Sequence, residues 1–237
     1  MKSDLPKGLF IVLEGSEGSG KTTQTQLLAD ALRRRGLDVD LTREPGGTPL
    51  GERVRRLLLN DQDMQDLDPR VQVLLMSAAR AQHVSQRIRP QIERGGVVIC
   101  DRFTASTQAY QGAGFRMRRR DLERIAGFST DGVSPDLTVL LDLDVEIGLK
   151  RSFSQRDTDW EKAGGINWHG MDFHERVRES FLAQARESEF EWLVADATTP
   201  PARIAGDIFN RVSVMIEGRE LRQATGLVQR SLPMGIR

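Results

Sequence analysis

Near the amino end of the chain lies a glycine-rich stretch, Gly15-Ser16-Glu17-Gly18-Ser19-Gly20-Lys21-Thr22, that leaves few folds open. An apolar run at 9–13 precedes it, and a helical pattern over 22–35 follows it. This order of strand, glycine loop and helix predicts a P-loop, in which backbone N–H groups curl around a phosphate. Glycines suit such a loop because a Cβ would crowd the phosphate.

The start of the predicted helix has the properties of an anion site. Its unpaired N–H groups and the positive end of its dipole both favour negative charge. Lys21 is placed to reach the outer phosphates of a nucleotide, and the hydroxyl of Thr22 is available to ligate Mg²⁺. The alternative is a strand-to-helix turn without a ligand. It does not explain a lysine in the first helical turn, where the dipole disfavours positive charge unless a phosphate is bound.

Length and composition fit one α/β domain. The chain has 237 residues, of which 38% are hydrophobic, enough for a full core. Its 34 Lys and Arg residues balance 34 Asp and Glu residues, so no nucleic-acid polymer is expected as a partner. No apolar run approaches the roughly 18–20 residues that span a membrane, and residues 1–6 do not predict a signal peptide. The single cysteine excludes an internal disulfide and suits a reducing, cytoplasmic compartment.

Five short apolar runs predict strands that are buried on both faces. Helical patterns separate them, which predicts a five-stranded parallel sheet with helices on both faces. The runs are 9–13, 39–42, 97–100, 137–141 and 192–194; the main helical patterns are 22–35, 50–59, 69–94, 119–128, 145–155, 172–190 and 200–216. We expect one P-loop kinase domain over 1–216 and a loose tail over 217–237, where glycine and proline interrupt the pattern.

A lid is predicted at about 152–171. The part from 157 to 171 carries three glycines and two tryptophans and lacks helical periodicity. Loops of about 15 residues in compact domains are usually functional or disordered. A closing lid would exclude water from a phosphoryl transfer, in which hydrolysis wastes the donor.

Two further stretches place charged residues at the carboxyl ends of strands, where open α/β sheets bind ligands. The loop 42–49 contains two prolines and two glycines, and Arg43 within it is a candidate phosphate ligand. The alternative is a surface loop with an exposed Arg–Glu pair. Asp101 and Asp142 each follow a strand and are rival candidates for Mg²⁺. Their spacing does not choose between them.

The helix predicted over 69–94 begins at Asp68-Pro69, with the proline in its first turn. Its apolar face is expected to contain Val71, Leu74, Leu75, Ala78 and Ala79. Arg80 lies in the middle of this helix, and the helical pattern alone gives it no role. The histidines at 83, 169 and 174 are not spaced as ligands of one metal ion.

Four blocks of residues together resemble the bacterial thymidylate kinase family. They are 14–23, 42–48, Asp101-Arg102-Phe103 with Ser106 and Ala109-Tyr110-Gln111, and 135–138 with Leu141-Asp142, in the expected order. The resemblance implies a P-loop nucleoside monophosphate kinase that transfers a phosphoryl group from ATP to dTMP, giving dTDP and ADP, with Mg²⁺. It also implies a homodimer, with the helix 69–94 as a contact.

The resemblance assigns roles to individual residues. Lys21, Arg43, Arg102 and Arg156 are expected to be catalytic, and Arg102 would contact both phosphates and offset charge in the transition state. Mg²⁺ is expected at Thr22 and Asp101. The expected ATP-binding residues are Gly15, Ser16, Glu17, Gly18, Ser19, Gly20, Lys21, Thr22, Thr23 and Arg151. The expected dTMP-binding residues are Glu17, Arg43, Met76, Arg80, Arg102, Ser106, Thr107, Tyr110 and Gln111.

Within the dTMP set the resemblance distinguishes parts of the nucleotide. Arg43 would bind the phosphate, and Glu17 would contact the sugar 3′-hydroxyl. Tyr110 would pack against the deoxyribose and crowd a 2′-hydroxyl. Arg80 would hydrogen-bond the thymine carbonyl, with Thr107 near the base edge.

The chain departs from the family pattern at two of these places. Met76 occupies the position of a phenylalanine that often stacks on thymine. Gly18 stands where some members of the family have an arginine. Members without that arginine supply positive charge from the lid instead. In this chain Arg151 and Arg156 are the candidates for that role, and Lys162 is a poorer one. Two alternatives stay open. One is a kinase for another deoxynucleoside monophosphate, which Met76 suggests; the other is a non-catalytic nucleotide-binding regulatory protein.

Overall fold

The computed structural model describes residues 8–60, 67–154 and 170–224. Its centre is a sheet of five parallel strands in the order β2-β3-β1-β4-β5, which confirms the predicted fold class. The strands are β1 (Leu9–Gly15), β2 (Val39–Arg43), β3 (Val97–Asp101), β4 (Leu137–Asp142) and β5 (Trp192–Asp196). The register sets Leu13 opposite Asp101 and Asp101 opposite Arg43, so the carboxyl ends of three strands meet at one edge.

Helices cover both faces of the sheet. They are α1 (Lys21–Arg34), α2 (Pro49–Asn60), α3 (Pro69–His83), α4 (Arg89–Glu93), α5 (Thr104–Thr107), α6 (Arg119–Thr130), α7 (Val145–Ser154), α8 (Met171–Glu187) and α9 (Pro201–Ala224). A π-helical segment at Val84–Ile88 joins α3 to α4, and another at Gln108–Gly114 extends α5. In the described part of the chain, no helix combines the length and apolar character needed to cross a membrane.

The core has two halves because successive side chains of a strand point to opposite faces. On one face, Ile11 and Leu13 of β1 pack against α1 and α9. On the other, Phe10 and Val12 pack against the π-helical segment that follows α3. Since both faces are covered, the strands appear in the sequence as continuous apolar runs rather than alternating ones.

The apolar face predicted for α3 is only partly a core face, since Ala79 is buried and Leu75 is half-buried. Val71 is 39% exposed and Leu74 is 58% exposed, although both belong to the apolar stripe. Beside Val73 and Ala79, the helix also buries Gln72, Arg80 and His83, which find hydrogen-bond partners in the interior. The outer part of the apolar stripe, with Val71 and Leu74, lies on the surface of the single chain.

The last helix extends beyond its predicted end at 216 and runs through Ala224. Arg219 in this extension donates to the carbonyl oxygen of Gly8 and to Asp136, so the extension is attached to the chain just before β1 and β4. Residues 225–237 of the predicted tail lie outside the described residues. The same holds for 155–169, which is most of the predicted lid and includes Arg156.

Candidate active site

The loop between β1 and α1 has the backbone shape that a P-loop requires. Gly18 and Gly20 have φ angles of 66° and 89°, in the left-handed region that glycine adopts without strain. A Cβ built on Gly20 would meet nothing within 4 Å. The hydroxyl of Ser16 is buried and has no hydrogen-bond partner among the described residues. Both observations fit a loop whose concave side receives an anion.

Helix α7 packs directly against the back of this loop. A Cβ on Gly18 would approach the carbonyl oxygen of Gly148 to 2.3 Å, and a Cβ on Gly148 would approach that of Glu17 to 2.6 Å. A larger residue at position 18 would therefore push α7 away. Near the end of α7, Arg151 donates to the carbonyl oxygen of Ala197 at 3.0 Å.

Lys21 is buried and lies over the loop. Its Nζ donates to the carbonyl oxygens of Ser16 (2.8 Å) and Gly15 (3.1 Å) and to the hydroxyl of Ser19 (3.3 Å). Burial, followed by repulsion from Arg102, lowers the pKa of Lys21 to about 8. An anion at the loop would favour the protonated ammonium group.

The two rival aspartates differ in their partners. Asp101 accepts a hydrogen bond from the hydroxyl of Thr22, with 3.0 Å between the oxygens. Asp142 receives two hydrogen bonds from Arg178, at 2.7 and 3.0 Å. Among the described residues, no group of three or more His, Cys, Asp or Glu side chains is arranged to hold a metal ion. A magnesium ion that takes most of its ligands from phosphates and water needs only a few protein oxygens, and the Thr22–Asp101 pair fits that requirement better than Asp142.

Arg102 connects the loop to a neighbouring cavity. Its φ of 70° is uncommon for a residue other than glycine, and its N–H donates to the carbonyl oxygen of Leu13 at 3.0 Å. Its Nη1 donates to the carbonyl oxygen of Gly15 (3.1 Å) and to the hydroxyl of Ser106 (3.0 Å). The guanidinium carbon lies 5.0 Å from the centre of the Tyr110 ring. One side chain thus contacts both the P-loop and the cavity wall.

Glu17 is buried within the loop and lies beside Arg102. Its Oε1 accepts a hydrogen bond from the hydroxyl of Tyr110 (2.7 Å) and lies 3.7 Å from Arg102 Nη2. Burial opposes ionisation, but the imidazole of His174, whose Nδ1 lies 3.6 Å from Glu17 Oε2, the charge of Arg102 and the Tyr110 hydroxyl together lower the pKa of Glu17 to about 2. Burial raises the pKa of Tyr110, so the phenol stays protonated and donates a hydrogen bond to this carboxylate.

Glu14 is a site residue to which sequence analysis gave no role. It is fully buried, and it accepts hydrogen bonds from the N–H of Phe103 (2.9 Å) and from both the N–H (3.1 Å) and the hydroxyl (2.6 Å) of Ser106. It therefore fixes the turn that carries Arg102. An acidic residue at the end of a buried apolar strand must find donors, and that signal was present in the sequence.

The cavity lies between α3, α5 with its π-helical extension, and the loop after β2. Seven of the predicted substrate residues line it, namely Met76, Arg80, Arg102, Ser106, Thr107, Tyr110 and Gln111. The remaining lining residues are Glu44, Pro45 and Phe103. Most of the predicted substrate residues therefore meet at one place, although they come from three parts of the chain.

Arg80 is buried in the wall of this cavity. Its Nε donates to Glu44 (2.7 Å), and its Nη2 donates to the hydroxyl of Thr107 (3.1 Å) and the carbonyl oxygen of Phe103 (3.3 Å). Its Nη1 is buried and has no hydrogen-bond partner in the described part of the chain. The guanidinium therefore has a donor left for an acceptor in the cavity.

Arg43 does not line the cavity. Its side chain is 53% exposed and forms an ion pair with Glu52 at 3.2 Å. The Arg–Glu pair suggested by the sequence is not formed, because Glu44 pairs with Arg80. Thr23 is exposed on the first turn of α1.

Comparison with known proteins agrees with this arrangement of loop and cavity. A family model described as "Thymidylate kinase" matches residues 13–208. The chain belongs to the thymidylate kinase family. Proteins named thymidylate kinase from Pseudomonas fluorescens (strain Pf0-1) and Deinococcus radiodurans are each 44% identical to it. These matches cover 89% and 88% of this chain and 97% and 98% of the two relatives.

A solved thymidylate kinase structure is also similar in fold. The crystal structure from Ehrlichia chaffeensis has a TM-score of 0.65 and 35% sequence identity, and the match covers 80% of this chain and 93% of that one. The family and the fold expected from the sequence are thereby confirmed. The roles of individual residues in this thymidylate kinase family member stay predictions.

Proposed function

We propose that this protein transfers the terminal phosphoryl group of ATP to dTMP, giving dTDP and ADP. The observation that carries the proposal is the position of Arg102, which contacts the P-loop at Gly15 and also lines the cavity that contains Arg80. A donor nucleotide on the loop and an acceptor nucleotide in the cavity would place their phosphates on either side of one guanidinium group.

The donor would bind to the glycine-rich loop. The loop N–H groups and Lys21 would hold the β- and γ-phosphates of ATP. Thr22 and Asp101 would hold Mg²⁺, which neutralises phosphate charge when it is bound. Arg151, on α7 just before the lid, and Arg156, within the lid, are the proposed sources of additional positive charge.

The acceptor would bind in the cavity. Arg80 Nη1 is the buried donor proposed for the thymine carbonyl, and Thr107 lies beside the same guanidinium. Met76 would cover a face of the base. The hydrogen-bonded pair of Tyr110 and Glu17 would contact the deoxyribose, with Tyr110 occupying the space that a 2′-hydroxyl needs.

The chemistry requires positioning and charge compensation more than proton transfer. The dTMP phosphate is already an anionic nucleophile, so no strong general base is needed. Arg102 would stabilise the charge that accumulates on the transferring group. Arg43 would bind the acceptor phosphate from the rim of the site, which requires it to leave Glu52.

A panel of nucleoside monophosphates with ATP, with products identified by mass, tests the proposal. We expect dTMP to be the preferred acceptor and dTDP the product. Preference for dCMP or dGMP would favour the alternative, a kinase for another deoxynucleoside monophosphate. That alternative is suggested by Met76, which lies in the cavity wall. ATP binding with no phosphorylated product would favour the non-catalytic alternative.

We also propose a homodimer formed through α3. The apolar stripe of Val71 and Leu74 is left exposed by the single chain, and a second copy would bury it. Sedimentation of the purified protein is expected to give a dimer mass, and Leu74→Glu is expected to give a monomer that is still folded. A monomeric wild-type protein at micromolar concentration would reject this proposal.

A further inference from the structure

The guanidinium of Arg80 is held on two sides within the protein. Glu44 binds Nε at 2.7 Å, Thr107 and the carbonyl oxygen of Phe103 bind Nη2, and the guanidinium carbon lies 5.3 Å from the centre of the Phe103 ring. Only Nη1 lacks a partner among the residues that the structure describes. The direction of this donor therefore depends on these contacts, of which the one with the Glu44 carboxylate is the shortest.

The second oxygen of Glu44 contacts a buried imidazole. His83 Nδ1 lies 3.0 Å from Glu44 Oε1, and its Nε2 lies 2.8 Å from the hydroxyl of Thr42. A carboxylate only accepts, so Nδ1 carries the proton, and in the neutral ring Nε2 accepts from Thr42. Both ring nitrogens are then satisfied, and His83 is fully buried on the same face of α3 as Arg80.

The backbone of the loop after β2 packs closely against His83. Gly47 has a φ of 75°, and a Cβ there would come within 2.5 Å of His83 Nε2 and 2.6 Å of Thr42 Oγ1. Arg87 holds this part of the loop, because its Nη1 donates to the carbonyl oxygen of Gly47 at 3.1 Å while Nε and Nη2 bind Asp40. The imidazole is thus enclosed between the loop and the helix.

We propose that His83 is a positioning residue for base recognition, acting through Glu44 on Arg80. A carboxylate that binds only Arg80 is free to rotate about its terminal torsion, which is broad. A second donor on the opposite oxygen fixes that torsion, and with it the direction of Arg80 Nη1. The inference rests on the proposed contact between Arg80 and a base carbonyl.

The proposal predicts a change in selectivity more than in rate. The acceptor proposed for Arg80 Nη1 is the carbonyl at C4, because the carbonyl at C2 is common to thymine, uracil and cytosine. Cytosine carries an amino group at C4, so a fixed N–H donor at that position accepts dTMP and dUMP and opposes dCMP. In His83→Gln the amide is too far along the side chain to replace Nδ1. We expect about a tenfold rise in KM for dTMP, as for loss of a charge-assisted hydrogen bond. The kcat/KM ratio of dTMP to dCMP should fall by about the same factor.

Three comparisons accompany this measurement. The ratio of dTMP to dUMP and the KM for ATP should stay unchanged in His83→Gln, because neither depends on the fixed donor. In His83→Asn the amide nitrogen falls near the position of Nδ1. This variant should therefore keep most of the wild-type dTMP-to-dCMP ratio of kcat/KM. Gln86→Ala, at an exposed position on the following π-helical segment, should behave as wild type.

The outcomes separate this inference from the proposed function. If the wild-type enzyme forms no dTDP, the proposed function fails. If the wild type forms dTDP but His83→Gln keeps its dTMP-to-dCMP ratio, or loses activity equally with all acceptors, only the positioning role is rejected. If His83→Gln does not fold, Thr42→Val serves instead, because it removes the hydroxyl that binds Nε2 of the ring. This variant is expected to lower the dTMP-to-dCMP ratio of kcat/KM by about threefold. An unchanged ratio in that variant overturns the proposal.

Discussion

The donor side and the acceptor side of the site are built in different ways. The P-loop is one continuous stretch from Gly15 to Thr22, and most of its binding groups are backbone amides shaped by glycine. The cavity is lined by side chains from the loop after β2, from α3 and from the segment after β3. The residues of the cavity are tens of positions apart in the chain. A contact such as Glu44–Arg80 therefore forms only when the chain folds.

The two regions should therefore respond differently to substitution. Changes in the cavity should alter the use of dTMP and leave ATP binding intact, whereas changes in the loop should alter ATP binding. Arg102 belongs to both regions, so its substitution should affect the phosphoryl transfer between the two bound nucleotides.

Arg102→Ala is expected to have the largest effect. Loss of the guanidinium should lower kcat by about 1,000-fold, because the charge of the transferring phosphoryl group loses its compensation, while the Kd for ATP should change by less than about threefold. Steady-state kinetics and ATP titration measure the two quantities. Arg116→Ala is a matched control, since Arg116 is exposed and also has a positive φ, of 59°. Equal losses of turnover and ATP binding in Arg102→Ala would contradict a transition-state role.

Arg80→Gln should affect only the acceptor side. Loss of a charged donor to the base is expected to raise the KM for dTMP by about 10- to 100-fold, with the KM for ATP unchanged. Arg70→Gln, on the exposed side of the same helix, serves as the control. A parallel rise in the KM for ATP would show that the two regions are not independent.

The pH dependence of ATP binding tests the donor side. The pKa of Lys21 is lowered to about 8 by burial and by Arg102, so the ammonium is protonated below that pH and loses its charge above it. Binding of the phosphates favours the charged form, and the Kd for ATP should therefore rise by up to about tenfold per pH unit above pH 8. Calorimetry should show proton uptake on binding in the same range. In Lys21→Arg the dependence should disappear, and its persistence would assign it to another group.

Met76→Phe should have the smallest effect. An aromatic ring over the base is worth about 0.5–1.5 kcal/mol beyond its buried area, so the KM for dTMP should fall by about 2- to 13-fold. Met76→Leu keeps the volume and should leave the KM close to that of the wild type. A rise in KM for Met76→Phe would mean that the cavity is too narrow for the ring and that methionine fits it.

Much of the fold followed from the sequence because local patterns encode it. The apolar runs of the strands, the glycines of the loop and Pro69 at the start of α3 act within a few residues. The helix α3 shows the limit of such patterns. Leu74 of its apolar stripe is exposed although Ala79 of the same stripe is buried, and the polar residues Arg80 and His83 are buried as well. Periodicity detects an amphipathic helix but does not say which side meets the rest of the chain.

Residue patterns along the chain were enough to predict the P-loop, the parallel order of strand and helix, and the presence of phosphate-binding groups, since each depends on neighbouring residues. The folded chain brings Asp101 rather than Asp142 beside Thr22, and it pairs Glu44 with Arg80 and Arg43 with Glu52. Hydrogen bonds and ion pairs between distant residues depend on distances of about 3 Å, and only the packing of helices on the sheet sets those distances.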